Sequence, residues 1–171
     1  MKTSVKPFVP KRERIVGKFK SELEDKLEKL EDIKHINHGG CGVAALAIYR
    51  YLVNNGIYQK YLSFTFTYVG WDRSLYEKNL DNHNNGLIEN LEVPSHIVVT
   101  FKGSIHVDSE GWNRYIGETK YVYTHEATLE EVENLVNSHG WNHLFDREEI
   151  VPIVEKIFDI NLSDIDLTIS V

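Results

Sequence analysis

The sequence predicts an α+β domain in which helices come first, a cluster of strands follows and further helices come last. Three patterns predict it. Apolar residues recur every three or four positions over about 16 to 34, an almost wholly apolar helix follows from Cys41, and apolar and polar residues alternate from Leu62 to Tyr68. Helices segregated from strands favour a small antiparallel sheet over alternating βαβ units. A chain of 171 residues, 42% of them apolar, can bury one core.

The first two predicted helices differ in character. The helix over about 16 to 34 is amphipathic, with acidic and basic residues opposite its apolar stripe. The helix from Cys41 to about Asn54 has almost no polar face, and Gly56 follows it as a left-handed terminator. We therefore expect the second helix to be central and buried, with the first packed on the same domain.

The middle of the chain is predicted to form the sheet. After the strand from Leu62, the strand-like runs are His96 to Thr100, Ser104 to Asp108 and Lys120 to Thr124. The Asn-rich stretch from Asn79 to Gly86 is predicted to be a loop.

Helices are expected again toward the end of the chain. Thr128 and Glu131 have the spacing of a capping box, which predicts a helix ending near Gly140. Asp146 is placed to cap another helix running through Phe158, and Ile165 to Val171 has the composition of a last strand.

Charge divides the chain into a basic arm over 1 to 15 and a single domain over 16 to 171. Residues 1 to 20 carry seven Lys or Arg and one Glu, so this segment is +6 and the rest of the −7 chain is −13. We expect the arm to be a solvated, partly disordered segment, and its charge also suits contact with an acidic protein partner. The acidic body argues against binding nucleic acid, because it repels phosphate.

Composition also limits where in the cell the protein is expected. The chain lacks a long apolar run and a charged-then-apolar leader, which argues against a membrane span and a signal peptide. A single cysteine excludes an internal disulfide. The Asn-, Lys- and Ile-heavy composition suits a bacterial or phage protein, which we expect in the host cytoplasm or, if phage-encoded, in the virion.

The most specific motif is Asn-His-Gly-Gly-Cys-Gly, which places the only thiol, Cys41, at a helix N-terminus behind two glycines. Unpaired N–H groups and the helix dipole there favour a thiolate. The same amides can bind a developing oxyanion. These features predict a nucleophilic cysteine. The alternative is a structural role, in which Cys41 is a small buried residue at the start of a core helix.

A base for this thiol is expected in the segment His96 to Asp108. If Phe101, Lys102 and Gly103 form a three-residue hairpin loop, His96 lies directly opposite Asp108 and both side chains share a sheet face. A two-residue turn would instead place Asp108 on the other face. On the favoured face His106 would lie opposite Val98, which makes it the second choice for the base.

These residues resemble the papain-like thiol enzymes, and most closely their transglutaminase-like and NlpC-like branches. The similarity covers about residues 35 to 112: a cysteine opening a buried helix, a strand beginning His-Ile-Val-Val, a Gly hairpin, and a strand ending in Asp followed by Ser-Glu-Gly. The resemblance implies a papain-like fold with Cys41 as nucleophile, His96 as general base and acid, and Asp108 orienting His96. Small phage and bacterial proteins of unassigned role are similar in the same stretch.

The sequence also departs from the papain pattern. His35 stands six residues before the cysteine, where papain proteases have an oxyanion-binding Gln, and the aromatic residue after the cysteine motif is absent. Asn37 or amides near Gly40 and Gly42 would then hold the oxyanion. Glu110, Trp71 and Trp112 are expected beside the site, and Trp112 either shields the thiolate or belongs to the core. The 55-residue interval from cysteine to histidine is short, which favours a small amidase, deamidase or acyl-transfer enzyme over a broad endopeptidase.

The predicted activity is thus a thiol hydrolase or acyl transferase of the peptidase, amidase or deamidase type. Its substrate is a peptide, amide or other acyl compound, including esters and thioesters, and no cofactor is expected. Two alternatives stay open. One is a zinc site formed by His35, His38, Cys41 and His96, whose helical spacing is interrupted by two glycines. The other is a non-catalytic binding or structural protein that keeps the fold, such as one associated with phage assembly.

Overall fold

The computed structural model describes residues 12–36, 40–101, 105–114, 122–138 and 146–167. It is an α+β domain, as predicted, and all four strand pairings in its sheet are antiparallel. The helices are α1 (Arg12–Glu31), α2 (Cys41–Asn54), α3 (Arg73–Asn84), α4 (Leu129–Val136) and α5 (Arg147–Phe158). The strands are β1 (Leu62–Val69), β2 (His96–Phe101), β3 (Ile105–Asp108), β4 (Gly111–Arg114) and β5 (Val122–Ala127).

The five strands lie in the order β4-β3-β2-β1-β5, so the last strand returns to pair with the first. Alternation along β1 places Phe64 on the face that packs against α2, where its ring centroid lies 5.0 Å from that of Tyr49. Val99 and Val107 are paired on the same face and belong to the same core cluster. The period-two pattern of the sequence thus orients the sheet toward the buried helix.

Helix α2 is the centre of the domain, as its apolar sequence predicts. All its residues except Arg50, Val53 and Asn54 are buried. Gly56 has φ of +94°, which confirms its predicted left-handed conformation. The Arg50 side chain donates to the Asn161 carbonyl at 2.7 Å and to the carboxylates of Glu133 and Asp164. These contacts attach α2 to the C-terminal part of the chain.

Several bounds differ from prediction, including those of β5, which was predicted from Lys120 to Thr124 and runs Val122–Ala127. Helix α1 begins at Arg12, inside the segment predicted to be an arm, and ends at Glu31. Helix α4 ends at Val136 rather than near Gly140. Residues 165–167 form no strand, because the chain turns there, and 168–171 lie outside the described residues.

The loop predicted from Asn79 to Gly86 is wrong, because most of it belongs to α3. The Asp72 carboxylate accepts the Leu75 N–H at 2.9 Å and caps this helix. Tyr76 stacks on Tyr123 of β5 with ring centroids 4.4 Å apart. The cap and this tertiary contact outweigh the weak helix propensity of the asparagines.

No helix in the described parts of the chain has the length and apolar character needed to cross a membrane.

The capping box of α4 gives a stability prediction. Thr128 Oγ accepts the Glu131 N–H at 3.2 Å, and Glu131 Oε2 accepts the Thr128 N–H at 2.7 Å. Thr128→Ala should lower the free energy of unfolding in urea by about 1 kcal/mol, because one helix donor loses its partner. Thr128→Ser keeps the hydroxyl and is the control. Equal losses in both variants would contradict the capping role.

Candidate active site

Cys41 is the first residue of α2, and the backbone before it is tightly bent. The Gly40 N–H donates to the His35 carbonyl at 3.2 Å, and the Ala44 N–H donates to the Gly40 carbonyl at 2.9 Å as the helix begins. His35 has φ of +64°, a left-handed conformation that is strained for a residue with a side chain. The Cys41 side chain is buried, with only 3% of the residue exposed.

The start of α2 offers N–H groups to an anion. The N-cap residue, Gly40, has no side chain to cap the helix, and the first turn has no acidic residue. The amides of Cys41, Gly42 and Val43 have no helix carbonyl to bond, and they lie at the positive end of the helix dipole. The Gly40 amide already bonds His35, so among the described residues the amide donors left for an oxyanion are those at the first residues of the helix itself.

His96 and Asp108 meet at one end of the sheet. His96 begins β2 and Asp108 ends the antiparallel neighbour β3, and His96 Nε2 lies 3.0 Å from Asp108 Oδ2. The other carboxylate oxygen, Oδ1, accepts the Glu110 N–H at 2.9 Å. The Asp108 side chain is 9% exposed and that of His96 is 28% exposed. The turn after β3 therefore fixes the carboxylate, which in turn orients the imidazole.

The predicted register was wrong by two residues, while the predicted face was correct. Thr100 pairs with His106 and Phe101 with Ile105, so the intervening residues are 102–104, outside the described part of the chain. Continuing this register aligns Asp108 with Val98 rather than with His96. A shift of two preserves the alternation, so His96 and Asp108 become diagonal neighbours on one face, within reach of a hydrogen bond.

Cys41 is the third group that acts on His96. Burial lowers the pKa of His96, but hydrogen bonds to Asp108 and Cys41 and the negative charges of both outweigh it and raise the pKa to about 10. Nε2 is the ring nitrogen that faces Asp108. The imidazolium is therefore the favoured form at neutral pH, between a carboxylate and a sulfur.

His106, the second choice for the base, lies near the site in a different role. It is half-buried on β3, and Asp108 makes its hydrogen bond to His96 instead. Burial lowers the pKa of His106, the charge of Asp108 raises it and that of His96 lowers it, with a net decrease. His106 is thus a neutral neighbour at pH 7.

The remaining predicted residues are only partly placed. Asn37 and His38 lie outside the described residues. Trp112 pairs through its backbone with Val107 in the unpredicted strand β4, and its side chain is not among those described. Trp71 is half-buried beside Tyr68, with ring centroids 6.5 Å apart.

Sequence reasoning placed a Gly turn after Asp108 but missed the amide contact that this turn supplies and the strand that follows it. Glu110 supplies the N–H that holds Asp108, and Gly111 has φ of +113°, which favours glycine. The Asp-Ser-Glu-Gly sequence carries the signal, because a short hairpin closed by glycine would have predicted both the amide contact and strand β4.

Among the described residues, no group of three or more His, Cys, Asp or Glu side chains is arranged to hold a metal ion. His38, one member of the alternative zinc set, is not among them.

Comparison of the chain with protein-family models, curated proteins and solved structures finds no match. The similarity to papain-like enzymes therefore stays a prediction, and function is argued from the site itself.

The site predicts an unusual titration of His96. Its native pKa of about 10 exceeds the ordinary value near 6.5, so its contribution to stability is full below pH 6.5 and is lost as pH rises through about 10. In imidazole NMR, His96 should stay protonated at pH 8. Cys41→Ser should lower its midpoint, because the sulfur charge is removed. In urea unfolding, the stability difference between wild type and His96→Gln should shrink from pH 6 to pH 10. A wild-type midpoint near 6.5 would contradict the arrangement.

Proposed function

We propose that this protein is a papain-like thiol hydrolase or acyl transferase that acts on an amide, ester or thioester. The observation that carries the proposal is the hydrogen bond between His96 and Asp108, together with the interaction of His96 with Cys41 at the start of α2. Each group has the chemistry its position requires: a nucleophile, a proton carrier and an orienting carboxylate.

In the first half-reaction, the Cys41 thiolate attacks the substrate carbonyl carbon. A carbon–sulfur bond forms and the carbonyl electron pair moves to oxygen, where the amides at the start of α2 stabilise the negative charge. The His96 imidazolium donates its proton to the leaving nitrogen, oxygen or sulfur as the bond to carbon breaks. The products are a thioester on Cys41 and the protonated leaving group.

In the second half-reaction, neutral His96 accepts a proton from water or an amine as that group attacks the thioester. The collapse of the second oxyanion expels the Cys41 thiolate and releases an acid or a new amide, so the thiolate and imidazolium are restored. Asp108 stays ionised throughout and stabilises the imidazolium by its hydrogen bond and charge.

One observation favours a second candidate, a non-catalytic binding or structural protein. Cys41 is only 3% exposed, whereas a nucleophile must be reached by substrate. In this alternative Cys41, His96 and Asp108 form a polar cluster that fixes the start of α2 to the sheet. The two candidates differ in the reactivity of the thiol.

Alkylation by iodoacetamide separates the candidates, and the single cysteine makes the modified site unambiguous by mass spectrometry. A paired thiolate should react readily at pH 6, where an ordinary thiol ionising near 8.5 is almost entirely protonated. His96→Ala should reduce the rate at pH 6 by about tenfold or more and move the rise in rate toward pH 8.5. His106→Ala is the matched control and should leave it unchanged. An ordinary thiol profile in the wild type would exclude the enzyme proposal.

Asp108→Asn tests the orienting carboxylate. The amide has nearly the same shape but no charge, so the protein should fold while the His96 pKa decreases and the alkylation rate at pH 6 falls between those of wild type and His96→Ala. Glu110→Gln removes a neighbouring exposed carboxylate and is the control. Equal rates for both variants would show that Asp108 has no special role.

A further inference from the structure

Between β1 and β2 the chain leaves the sheet and forms a lobe over residues 70–95. It consists of α3, which has no buried residue, and the segment leading to His96. Of the eight exposed large apolar side chains in the described structure, five lie in this lobe or next to it: Val69, Leu75, Leu87, Leu91 and Val93. Clustered exposed apolar residues mark binding surfaces more often than scattered ones do.

Two hydrogen bonds fix the end of the lobe beside His96. The Ser95 N–H donates to the Thr67 carbonyl at 2.7 Å, and Ser95 Oγ accepts the Val69 N–H at 3.1 Å. Thr67 is the β1 partner of His96. Val69 and the end of the lobe thus lie at the same end of the β1 and β2 strands as His96, the proposed proton carrier.

A third hydrogen bond joins α3 to the segment before His96. The Glu92 N–H donates to Asn79 Oδ1 at 3.1 Å. Leu75 is four residues from Asn79 and shares its helix face, while Leu91 and Val93 flank Glu92. We call Val69, Leu75, Leu91 and Val93 the lobe patch, four exposed apolar side chains on the segments that these hydrogen bonds join.

The lobe is acidic as well as apolar. Residues 70–95 contain two basic residues, Arg73 and Lys78, and five acidic ones: Asp72, Glu77, Asp81, Glu89 and Glu92. Arg73 lies 3.9 Å from the Glu77 carboxylate and over the Tyr123 ring. The charge that the lobe presents is therefore negative, which is complementary to a cationic ligand.

We propose that the lobe patch binds an apolar segment bearing Lys or Arg in a peptide or protein substrate and so presents the neighbouring acyl group to Cys41. This inference rests on the proposed thiol chemistry. It assigns the substrate class, since a small free amide at Cys41 would not extend to the patch and would gain nothing from its apolar side chains or its charge.

Three alkylating probes test the assignment in the full-length protein: iodoacetamide, iodoacetyl-Phe-Lys-amide and iodoacetyl-Phe-Glu-amide. In each, the thiolate forms a carbon–sulfur bond and iodide leaves. The Phe-Lys probe should react about tenfold faster than the Phe-Glu probe, and the ratio should decrease from about 50 to about 200 mM salt as the lobe charge is screened.

Leu91→Asn and Val93→Asn should each slow the Phe-Lys probe several-fold, because apolar contact is lost, and should leave the iodoacetamide rate unchanged. Ile153→Asn makes the same kind of change at an exposed position of α5 and is the matched control. It should alter none of the three rates.

The outcomes distinguish the two proposals. An ordinary thiol profile with iodoacetamide would overturn the proposed function and this inference together. Fast iodoacetamide reaction without preference between the peptide probes, or with no effect of either lobe variant, would overturn the inference alone. If the lobe variants dissociate a dimer and leave the probe rates unchanged, the patch joins two copies of the chain and the inference is wrong.

Discussion

The burial of α2 is the constraint on which the rest of the structure depends. A helix with almost no polar face must be covered on every side, and here the sheet, α4 and α5 all contact it. Its small residues Ala44, Ala45 and Ala47 let neighbouring elements approach closely. Because α2 is held so firmly, its first residue, Cys41, has one position relative to the sheet. Truncating a fully buried leucine of such a helix typically costs about 2–5 kcal/mol.

The residues of the candidate site lie at the ends of helices and strands. Cys41 opens a helix, His96 opens one strand and Asp108 closes the next. At such ends the backbone has donors that the elements themselves do not use, so the Glu110 amide can hold Asp108 and the helix amides can face an anion. Asp108 and Cys41 both favour the protonated form of His96, which explains why the imidazolium persists despite its partial burial.

The features that could be predicted from the sequence are those that depend on residues close together in the chain. Periodicity identified α2 and β1, spacing identified the Thr128 cap, and alternation placed His96 and Asp108 on one face. The exact register of β2 and β3 could not be predicted from the sequence, because a turn that contains Lys-Gly can occupy either of two neighbouring positions. Helix α3 was missed because the Tyr76–Tyr123 contact that supports it joins residues far apart in the chain. The role of Asn37 and the position of the Trp112 side chain stay predictions.

The strand order has a consequence for folding. His96 and Asp108 belong to a hairpin, 12 residues apart, whereas β1 must pair with β5 across most of the domain's middle segment. Local pairings of this kind close at low entropic cost, while distant ones slow folding. The histidine and its carboxylate can thus meet early in folding, but the sulfur joins them only when α2 packs against the sheet. The complete set of three residues therefore forms together with the native core, and a chain that has not finished folding lacks the paired thiol.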